Sequence, residues 1–418
     1  MPSQRPWVKR SEVTFALQRN NHEIGGNGGA TIDPKSEIPN PKSEIYLLLL
    51  RGAPAPVGVI CACSFQVSRL AQGNKMRATR LTVVGMVLMF VLAPAAIPGT
   101  AFDAAKPEDN FTLVKVADGV YAAIAKPGGL ASGNAGFVVG DNGVLVFDTF
   151  FTPEAAQELI EVAQTEGKQA IKYAVNSHYH LDHTGGNQIF TAKSIPVIGH
   201  DRLMEWQTSK NRRFLPPKEE LQKRIGDSQK QINDTPPEQA ERRAEFQRRL
   251  RRLEAMVSIQ LTNPTVTFGS GLLRLYLGKR EVVLFTLPGH TGGDVLAYVP
   301  DAQVVFTGDM SWRKTLPNLV DATVNDWIPS LDKLLSDYPT ARFVPGHGEV
   351  ASVQDVREFR DYLDDLRTRV KQAIGDGLTL DQAKERLKLP EKYKGFAFQN
   401  FATPNVEDVY KELTNTKK

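Results

Sequence analysis

The sequence predicts an α/β protein that carries an inserted helical hairpin. Short β-rich runs alternate with amphipathic helical segments along residues 110–375, a pattern typical of strands and helices packed in layers. Several of these runs end at a glycine beside a polar side chain. Between residues 201 and 256 the pattern changes to charged helical repeats, so we expect an insertion at this point.

The first part of the domain is predicted to begin a sheet. Residues 111–148 contain short β-rich runs, and the last two are joined by Asp-Asn-Gly, a strong hairpin signal. Thr152 followed by Pro153 predicts the start of an amphipathic helix that ends at Gly167. Residues 170–177 then form a strand that ends where a cluster of histidines begins.

The insertion at residues 201–256 holds 14 Lys+Arg, 10 Asp+Glu and two double-proline breaks. Thr235 followed by Glu238 matches a capping box, and apolar residues repeat at helical spacing from Phe246 to Val257. Two interpretations stay open. The hairpin is either a lid or dimer arm over a functional site, or a surface excursion with a solvated basic face.

Strands are predicted again after the insertion, and each is followed by one polar loop. The β-rich runs cover residues 266–268, 272–277, 281–287 and 295–310, a helix follows at about 324–336, and a further run covers 341–350. A helical extension is expected at residues 376–418.

Residues 76–101 have the layout of a secretory signal peptide. Two arginines precede a short apolar run at residues 81–92, and small residues follow it. This run is shorter than a typical membrane span, so no stable span is expected after cleavage. The sequence therefore predicts an exported protein, either periplasmic or secreted.

Residues 1–75 precede this signal and contain the near-tandem repeat PKSEIPNPKSEI but no sustained apolar period. Such a segment cannot bury a core. We expect it to be translated upstream sequence, with Met76 as the true start. The alternative is a disordered tail followed by an uncleaved anchor at residues 81–92.

Charge and cysteine content limit the function of the remaining chain. Of the 51 Lys+Arg and 47 Asp+Glu, residues 1–101 hold 11 and 5, which leaves 40 basic against 42 acidic residues. This part lacks the basic excess that nucleic-acid binding uses, so we expect no nucleic-acid partner. Both cysteines, Cys61 and Cys63, also lie in residues 1–101. A metal site in the domain must therefore use histidine and carboxylate ligands.

The stretch NSHYHLDHTGGN, residues 176–187, concentrates three of the chain's seven histidines and an aspartate. His178 and His180 are two residues apart at a strand end, so both can reach the same side. Three further motifs stand at strand ends, each beside a glycine: PGHTGGD with His290, TGDM with Asp309, and PGHG with His347.

These motifs indicate two sets of metal ligands. His178, His180 and His290 supply three imidazoles and leave one position open, as in catalytic zinc sites. Asp182, His183 and His347 supply one oxygen and two nitrogens for a second ion, with Asp309 placed to bridge. Taken singly, each residue is more often a capping, turn or buried hydrogen-bonded residue. Their occurrence together favours the metal site.

Nearby residues are given other roles. His200 also ends a predicted strand, but it is left outside the site because three ligands already fill each half of the arrangement. Ser177 is interpreted as structural. The substrate pocket is expected from the loops at residues 126–132 and 312–319 and, if the hairpin is a lid, from the inserted helices.

The ordered set HYHLDH, PGHTGGD, TGDM and PGHG resembles the metallo-β-lactamase superfamily over about residues 110–375. The resemblance implies a four-layer αββα sandwich with a dinuclear site at one edge of its two sheets. It implies two Zn²⁺ ions as cofactors, with iron or manganese as alternatives. It assigns His178, His180 and His290 to the first metal and Asp182, His183 and His347 to the second, and it matches Asp309 to the bridging carboxylate of glyoxalase-II-like hydrolases.

The resemblance further implies hydrolysis of a small-molecule substrate. A hydroxide shared by the two metals and oriented by Asp182, the catalytic residue, would attack an ester, thioester, lactone or β-lactam type bond. The lack of a cysteine ligand and the presence of Asp309 favour a general hydrolase over a dedicated antibiotic-degrading enzyme.

Three alternatives stay open. A mononuclear iron dioxygenase acting on persulfides shares the HxHxDH motif and would hold its iron through His178, His290 and Asp309. A flavodiiron-type redox module fits less well, because His180 stands where its cluster has a glutamate. The chain could also be a non-catalytic binding or accessory protein that serves a periplasmic oxidation pathway.

Overall fold

Two β-sheets lie face to face in the part of the chain that the structure describes, residues 110–417 of a computed structural model. The predicted upstream segment, the signal peptide and the Met76 start lie outside the described residues.

The first sheet has seven strands that follow one another in sequence order. They are β1 (Phe111–Ala117), β2 (Val120–Ala125), β3 (Ala135–Gly140), β4 (Gly143–Phe147), β5 (Ile171–Val175), β6 (Val197–His200) and β7 (Val266–Phe268). Neighbours are antiparallel from β1 to β4 and parallel from β4 to β7. Strands β3 and β4 form a hairpin with a two-residue turn, as predicted from Asp-Asn-Gly.

The second sheet has five strands, in the order β12-β11-β10-β9-β8. They are β8 (Leu272–Leu277), β9 (Arg280–Thr286), β10 (Val295–Val299), β11 (Val304–Trp312) and β12 (Arg342–His347). Only the outermost pair of this sheet, β11 and β12, is parallel, and the other neighbours are antiparallel.

The α-helices of the described residues are α1 (Pro153–Gly167), α2 (Leu181–Thr184), α3 (Asn187–Ala192), α4 (Leu203–Ser209), α5 (Lys218–Asp234), α6 (Ala240–Val257), α7 (Val324–Asp337), α8 (Val353–Gly375), α9 (Leu380–Arg386) and α10 (Ala402–Leu413). Helix α1 begins as predicted: the Thr152 hydroxyl accepts a hydrogen bond from Ala155 N at 3.3 Å, and Pro153 is the first helical residue. None of the helices between residues 110 and 417 is long and apolar enough to cross a membrane.

Side-chain alternation along the central strands creates the layers. On β4, Val146 joins a buried cluster with α1, whereas Leu145 and Phe147 lie between the two sheets. On β11, Val305 packs with residues of α7 and α8, while Phe306 lies between the sheets. Alternate residues of a strand point to opposite faces, so each sheet has helices outside and the other sheet inside. The predicted four-layer αββα sandwich is confirmed.

The predicted inserted hairpin is formed by α5 and α6, which pack against each other. Their charged faces are exposed, but Leu221, Leu253 and Met256 join Phe151 and Leu181 in one buried cluster. Since Leu181 is the first residue of α2, this apolar contact fixes the hairpin beside the histidine cluster.

The capping box predicted at Thr235 is wrong. Thr235 instead follows the last residue of α5, and its hydroxyl donates to Gln231 O at 2.6 Å. Gln239 N donates to Pro236 O at 3.0 Å, which closes a turn before α6 begins at Ala240. The double proline is therefore used for a turn between the two helices, and the second helix starts later than the sequence pattern indicates.

Candidate metal centre

Four chain segments bring the predicted ligands to one edge of the two sheets. The segment after β5 carries His178 and His180, and Asp182 and His183 follow inside the short helix α2. His290 lies in the loop between β9 and β10, Asp309 in β11, and His347 at the end of β12. The structure thus brings together all seven residues that the sequence analysis selected.

Asp309 is placed differently from the prediction, because it lies inside β11 rather than after it. The pairing of β11 with β12 is irregular on both sides of Gly308, whose φ of 50° is left-handed. A Cβ at Gly346 of β12 would overlap the Asp309 carboxylate, so a glycine is needed on the neighbouring strand. These irregularities allow a strand residue to direct its carboxylate toward the histidines.

The first group consists of His178, His180, His290 and Asp309, whose potential ligand atoms all lie within 4.8 Å of one another. Asp309 Oδ2 is 3.7 Å from His178 Nε2 and 3.2 Å from His290 Nε2. His180 Nδ1 is 3.0 Å from His290 Nε2. All four side chains are buried, so only a small part of the group faces solvent.

The second group consists of Asp182, His183 and His347. Asp182 Oδ2 is 3.3 Å from His347 Nε2 and 3.7 Å from His183 Nε2. The other oxygen of Asp309, Oδ1, is 3.2 Å from His183 Nε2 and 3.5 Å from His347 Nε2. Asp309 therefore lies between the two groups and directs one carboxylate oxygen to each.

The chemistry of these atoms fits divalent metal ions. Nearly all buried polar atoms in proteins have a hydrogen-bond partner, yet His178 Nε2, His183 Nε2 and Asp309 Oδ1 are buried here without one. Cations at the two groups would satisfy these converging lone pairs. Imidazole nitrogen and carboxylate oxygen without thiolate are ligands used by zinc, iron and manganese.

The sequence profile of the metallo-β-lactamase superfamily matches residues 128–347, which is just over half of the chain and includes all the predicted ligands. This chain belongs to the metallo-β-lactamase superfamily. The motif resemblance noted in the sequence is thereby confirmed.

Two curated relatives illustrate the range of this superfamily. The chain is 24% identical over 213 residues to a metallo-β-lactamase type 2 of Bacillus cereus, covering 50% of this chain and 64% of the relative. It is 24% identical over 279 residues to a linear primary-alkylsulfatase of Pseudomonas sp., covering 64% of this chain and 51% of the relative. The chain thus spans about half to two thirds of the length of these relatives.

A solved structure agrees with the architecture. A stereoselective inverting sec-alkylsulfatase from Pseudomonas sp. superposes with a TM-score of 0.53 at 20% sequence identity, covering 72% of this chain and 50% of that chain. At this identity the likeness shows the fold.

The pKa values of His178 and His290 are shifted in the opposite direction to that of His347. Burial holds the pKa of His178 well below its usual value and lowers that of His290 to about 3, so both rings stay neutral and keep a lone pair for a metal. Burial would also lower the pKa of His347, but the carboxylates of Asp309 and Asp182 raise it to about 9. Protons and metal ions therefore compete for the second group, and metal binding there releases protons.

Asp148 orients two ligands and was not selected from the sequence. It accepts hydrogen bonds from Ser177 N at 2.7 Å, from the Ser177 hydroxyl at 2.8 Å and from His183 Nδ1 at 2.9 Å. Ser177 Oγ in turn accepts from His178 Nδ1 at 3.0 Å. These bonds leave Nε2 of both histidines facing the centre. One signal was present in the sequence, since Asp148 directly follows the apolar strand β4.

Asp321 orients His180. No motif in the sequence pointed to this residue. It accepts from His180 Nε2 at 3.1 Å and from the Tyr179 hydroxyl, which leaves His180 Nδ1 directed at the centre. Lys210 and Arg213 of the insertion form ion pairs with the same carboxylate. Burial alone would raise the pKa of Asp321, but the hydrogen bonds from His180 and Tyr179 hold it well below its usual value. The insertion thus reaches the metal centre through one shared carboxylate.

His200 joins neither group, although it ends β6. Its Nε2 donates to Gly269 O at 3.1 Å, and its Nδ1 accepts from Arg202 N at 3.1 Å. Both ring nitrogens are therefore engaged by backbone groups, which is an ordinary structural role for a partly buried histidine.

A cavity of about 550 Å³ opens over the two groups, and His180, Asp182, Asp309 and His347 lie in its lining. Its walls include Ser132 and Trp312 of the predicted loops. The inserted segment adds Phe214, Arg252 and Met256, and the C-terminal extension adds Phe398, Asn400 and Phe401. The wall formed by the C-terminal extension was not predicted.

Proposed function

We propose that this superfamily member is an exported zinc-dependent hydrolase that cleaves an ester, thioester, lactone or β-lactam type bond of a small molecule. One observation carries the proposal. Asp309 lies between two groups of ligand atoms and directs Oδ1 to one group and Oδ2 to the other. A carboxylate in this position fits a pair of neighbouring cations, which is the arrangement of two-metal hydrolytic sites.

When bound, two such cations lower the pKa of a water molecule and polarise the bond under attack. The side chains of this chain provide the remaining functions. Asp182 is the most accessible carboxylate of the centre, with 25% of its side chain exposed, and it lines the cavity. It is therefore placed to accept a hydrogen bond from a water in the cavity and to orient that water toward a substrate.

Four of the five ligand histidines are held in place by residues outside the two groups. Asp148 and Asp321 fix the rings of His178, His183 and His180, and the Asp294 side chain accepts from Thr291 N at 2.8 Å and holds the loop after His290 in place. Burial raises the pKa of Asp294 to about 8. Asp182, by contrast, has no such supporting residue within residues 110–417 beyond His183 and His347. This difference suits a role of Asp182 at the cavity, where it meets water and substrate.

Other features support the finer parts of the proposal. The signal-peptide layout of residues 76–101 supports export. The nitrogen and oxygen ligands support zinc. The relatives named above are a β-lactamase and a sulfatase. The substrates to be tested are therefore β-lactams, sulfate esters, carboxylic esters, thioesters and lactones.

Hydrolysis is expected to proceed without oxygen. The zinc-loaded protein should cleave at least one of these substrate classes under anaerobic conditions, lose the activity on treatment with a chelator, and regain it with added zinc, because the cations supply the nucleophile. Product release measured in an anaerobic chamber tests this. Activity that requires oxygen and returns only with ferrous iron would identify a dioxygenase instead. Metal-loaded protein that cleaves none of the substrates would indicate a binding protein.

A further inference from the structure

Arg252 of α6 is a positively charged side chain in the wall of the cavity. It is exposed, and it has no carboxylate partner in the part of the chain between residues 110 and 417. Its contacts are a long hydrogen bond of 3.4 Å to Ser132 Oγ and the ring of Phe151, which lies 4.1 Å below its guanidinium carbon. The Phe151 ring orients the guanidinium plane and leaves its N–H groups available to a ligand.

Arg252 differs from two nearby arginines that pair with carboxylates. Other arginines of residues 201–256 also lack such a partner, but among them Arg252 is the one that lines the cavity. Arg251, the preceding residue, forms an ion pair with Glu154 at 3.0 Å. Arg213, also from the insertion, forms an ion pair with Asp321. The Asp182 carboxylate lines the same cavity, and its negative charge interacts with the charge of Arg252. An arginine keeps its charge at neutral pH.

The wall around Arg252 is mostly apolar. Phe214 and Met256 come from the insertion, and Phe398 and Phe401 come from the C-terminal extension. Phe398 remains 42% exposed, and its φ of 59° lies in the left-handed region, which is costly for a bulky side chain. Phe398 therefore presents an exposed aromatic ring at the cavity wall.

The position of Arg252 relative to the metal centre is fixed by packing. Leu253 and Met256, on the same helix, are buried against Leu181, the residue before Asp182. Helix α6, which carries Arg252, therefore packs against α2, which carries the metal ligand Asp182. Such a contact holds the two functional groups at a constant separation.

We propose that Arg252 binds a negatively charged group, a carboxylate or a sulfate, on a substrate that also has an apolar part. This inference rests on the proposed function and deepens it: the scissile bond lies at the metal ligands, the apolar part contacts the aromatic wall that includes Phe214 and Phe398, and the anion lies at Arg252. A guanidinium presents parallel N–H donors that match both kinds of anion in a bidentate geometry. Arg252 is then the residue that determines specificity for anionic substrates.

The test measures binding without bond cleavage. The full-length, zinc-loaded protein is titrated in a calorimeter with 1-octanesulfonate, octanoate and octanamide, which share a chain length and differ in head group. The variants are Arg252→Gln, Arg252→Lys and, as a matched control, Arg251→Gln, which removes the same charge from the adjacent position and breaks the contact with Glu154.

Arg252→Gln is expected to weaken binding of the anions by about 10- to 100-fold, the range for a hydrogen bond to a charged group, and to leave octanamide binding unchanged. Arg252→Lys should retain part of the affinity, and Arg251→Gln should retain all of it. A loss for octanoate alone would identify a carboxylate, and a loss for both anions would show that Arg252 accepts either group.

Two results would overturn the inference. Unchanged anion binding by Arg252→Gln would place the anion at the metal ligands, and an equal loss for all three probes would give Arg252 a packing role. Because no bond is cleaved in this experiment, its outcome is separate from that of the substrate screen. Arg252-dependent anion binding by a protein that hydrolyses nothing would reject the proposed function alone.

Discussion

Asp309→Asn is expected to weaken the binding of both metal ions by more than the 10- to 100-fold loss that is typical when a residue supporting a ligand is removed. The reason is geometric. Asp309 is 3% exposed and is the one residue whose oxygens approach ligand nitrogens of both groups in the described part of the chain. Asparagine keeps the shape of the side chain but removes its negative charge and replaces one oxygen by an N–H donor.

The loss is measured as metal content after dialysis against a weak chelator, and hydrolysis should fall with it. Asp301→Asn is the control, because Asp301 is half-exposed and pairs with Arg280 on the surface. Full retention of one ion by Asp309→Asn would show that this carboxylate belongs to a single group, and the bridging position would then be wrong.

Asp182→Asn is expected to lower hydrolysis by about 10²- to 10⁴-fold, the range for removing a positioned acid-base group. The first metal should stay bound, because His178, His180 and His290 do not depend on Asp182. Metal content and kcat are measured on the same sample, so that loss of the second ion and loss of activity can be compared.

The same variant separates the two enzymatic hypotheses. In a mononuclear iron dioxygenase the metal would be held by His178, His290 and Asp309, and Asp182 would not be a ligand. Asp182→Asn would then keep its iron and its oxygen-dependent activity, while Asp309→Asn would lose both. Retention of more than a tenth of the hydrolytic activity in Asp182→Asn would contradict the orienting role assigned here to this carboxylate.

The ligands could be selected from the sequence because each stands in or next to a short motif at a strand end. A β-strand that ends in a glycine-containing turn places the next polar residue at the sheet edge, whatever the rest of the fold does. Asp309 shows the limit of this reasoning. Its motif identified the residue, but its position inside β11 depends on an irregular pairing with β12, which forms only when distant segments meet.

The residues that orient the metal ligands or line the cavity were harder to identify from the sequence. Asp321 lies in a segment without a motif, 141 residues from His180, and only the folded chain brings the two together. The same is true of Phe398, whose place in the cavity wall depends on how the C-terminal extension packs. Sequence periodicity describes one element at a time, whereas these contacts join elements that are far apart in the chain.

The insertion was predictable from the sequence only in part. Its helices were predicted from spacing and charge, but the sequence left its role open between a lid or arm and a surface excursion. In the structure it contributes Lys210 and Arg213 to Asp321 and Arg252 to the cavity. Charge counts alone could not identify these three side chains among the many charged residues of the insertion, because Asp321 and most of the cavity lining lie outside it.

The metal content of the purified full-length protein tests the central claim most directly. Elemental analysis by mass spectrometry, after growth with zinc, iron and manganese all present, should find about two zinc ions per chain, since the two groups share Asp309 and suit a pair of cations. Chelator treatment should remove both ions, and zinc alone should restore anaerobic hydrolysis. A single iron ion per chain, with activity that depends on oxygen, would contradict the two-metal hydrolytic site.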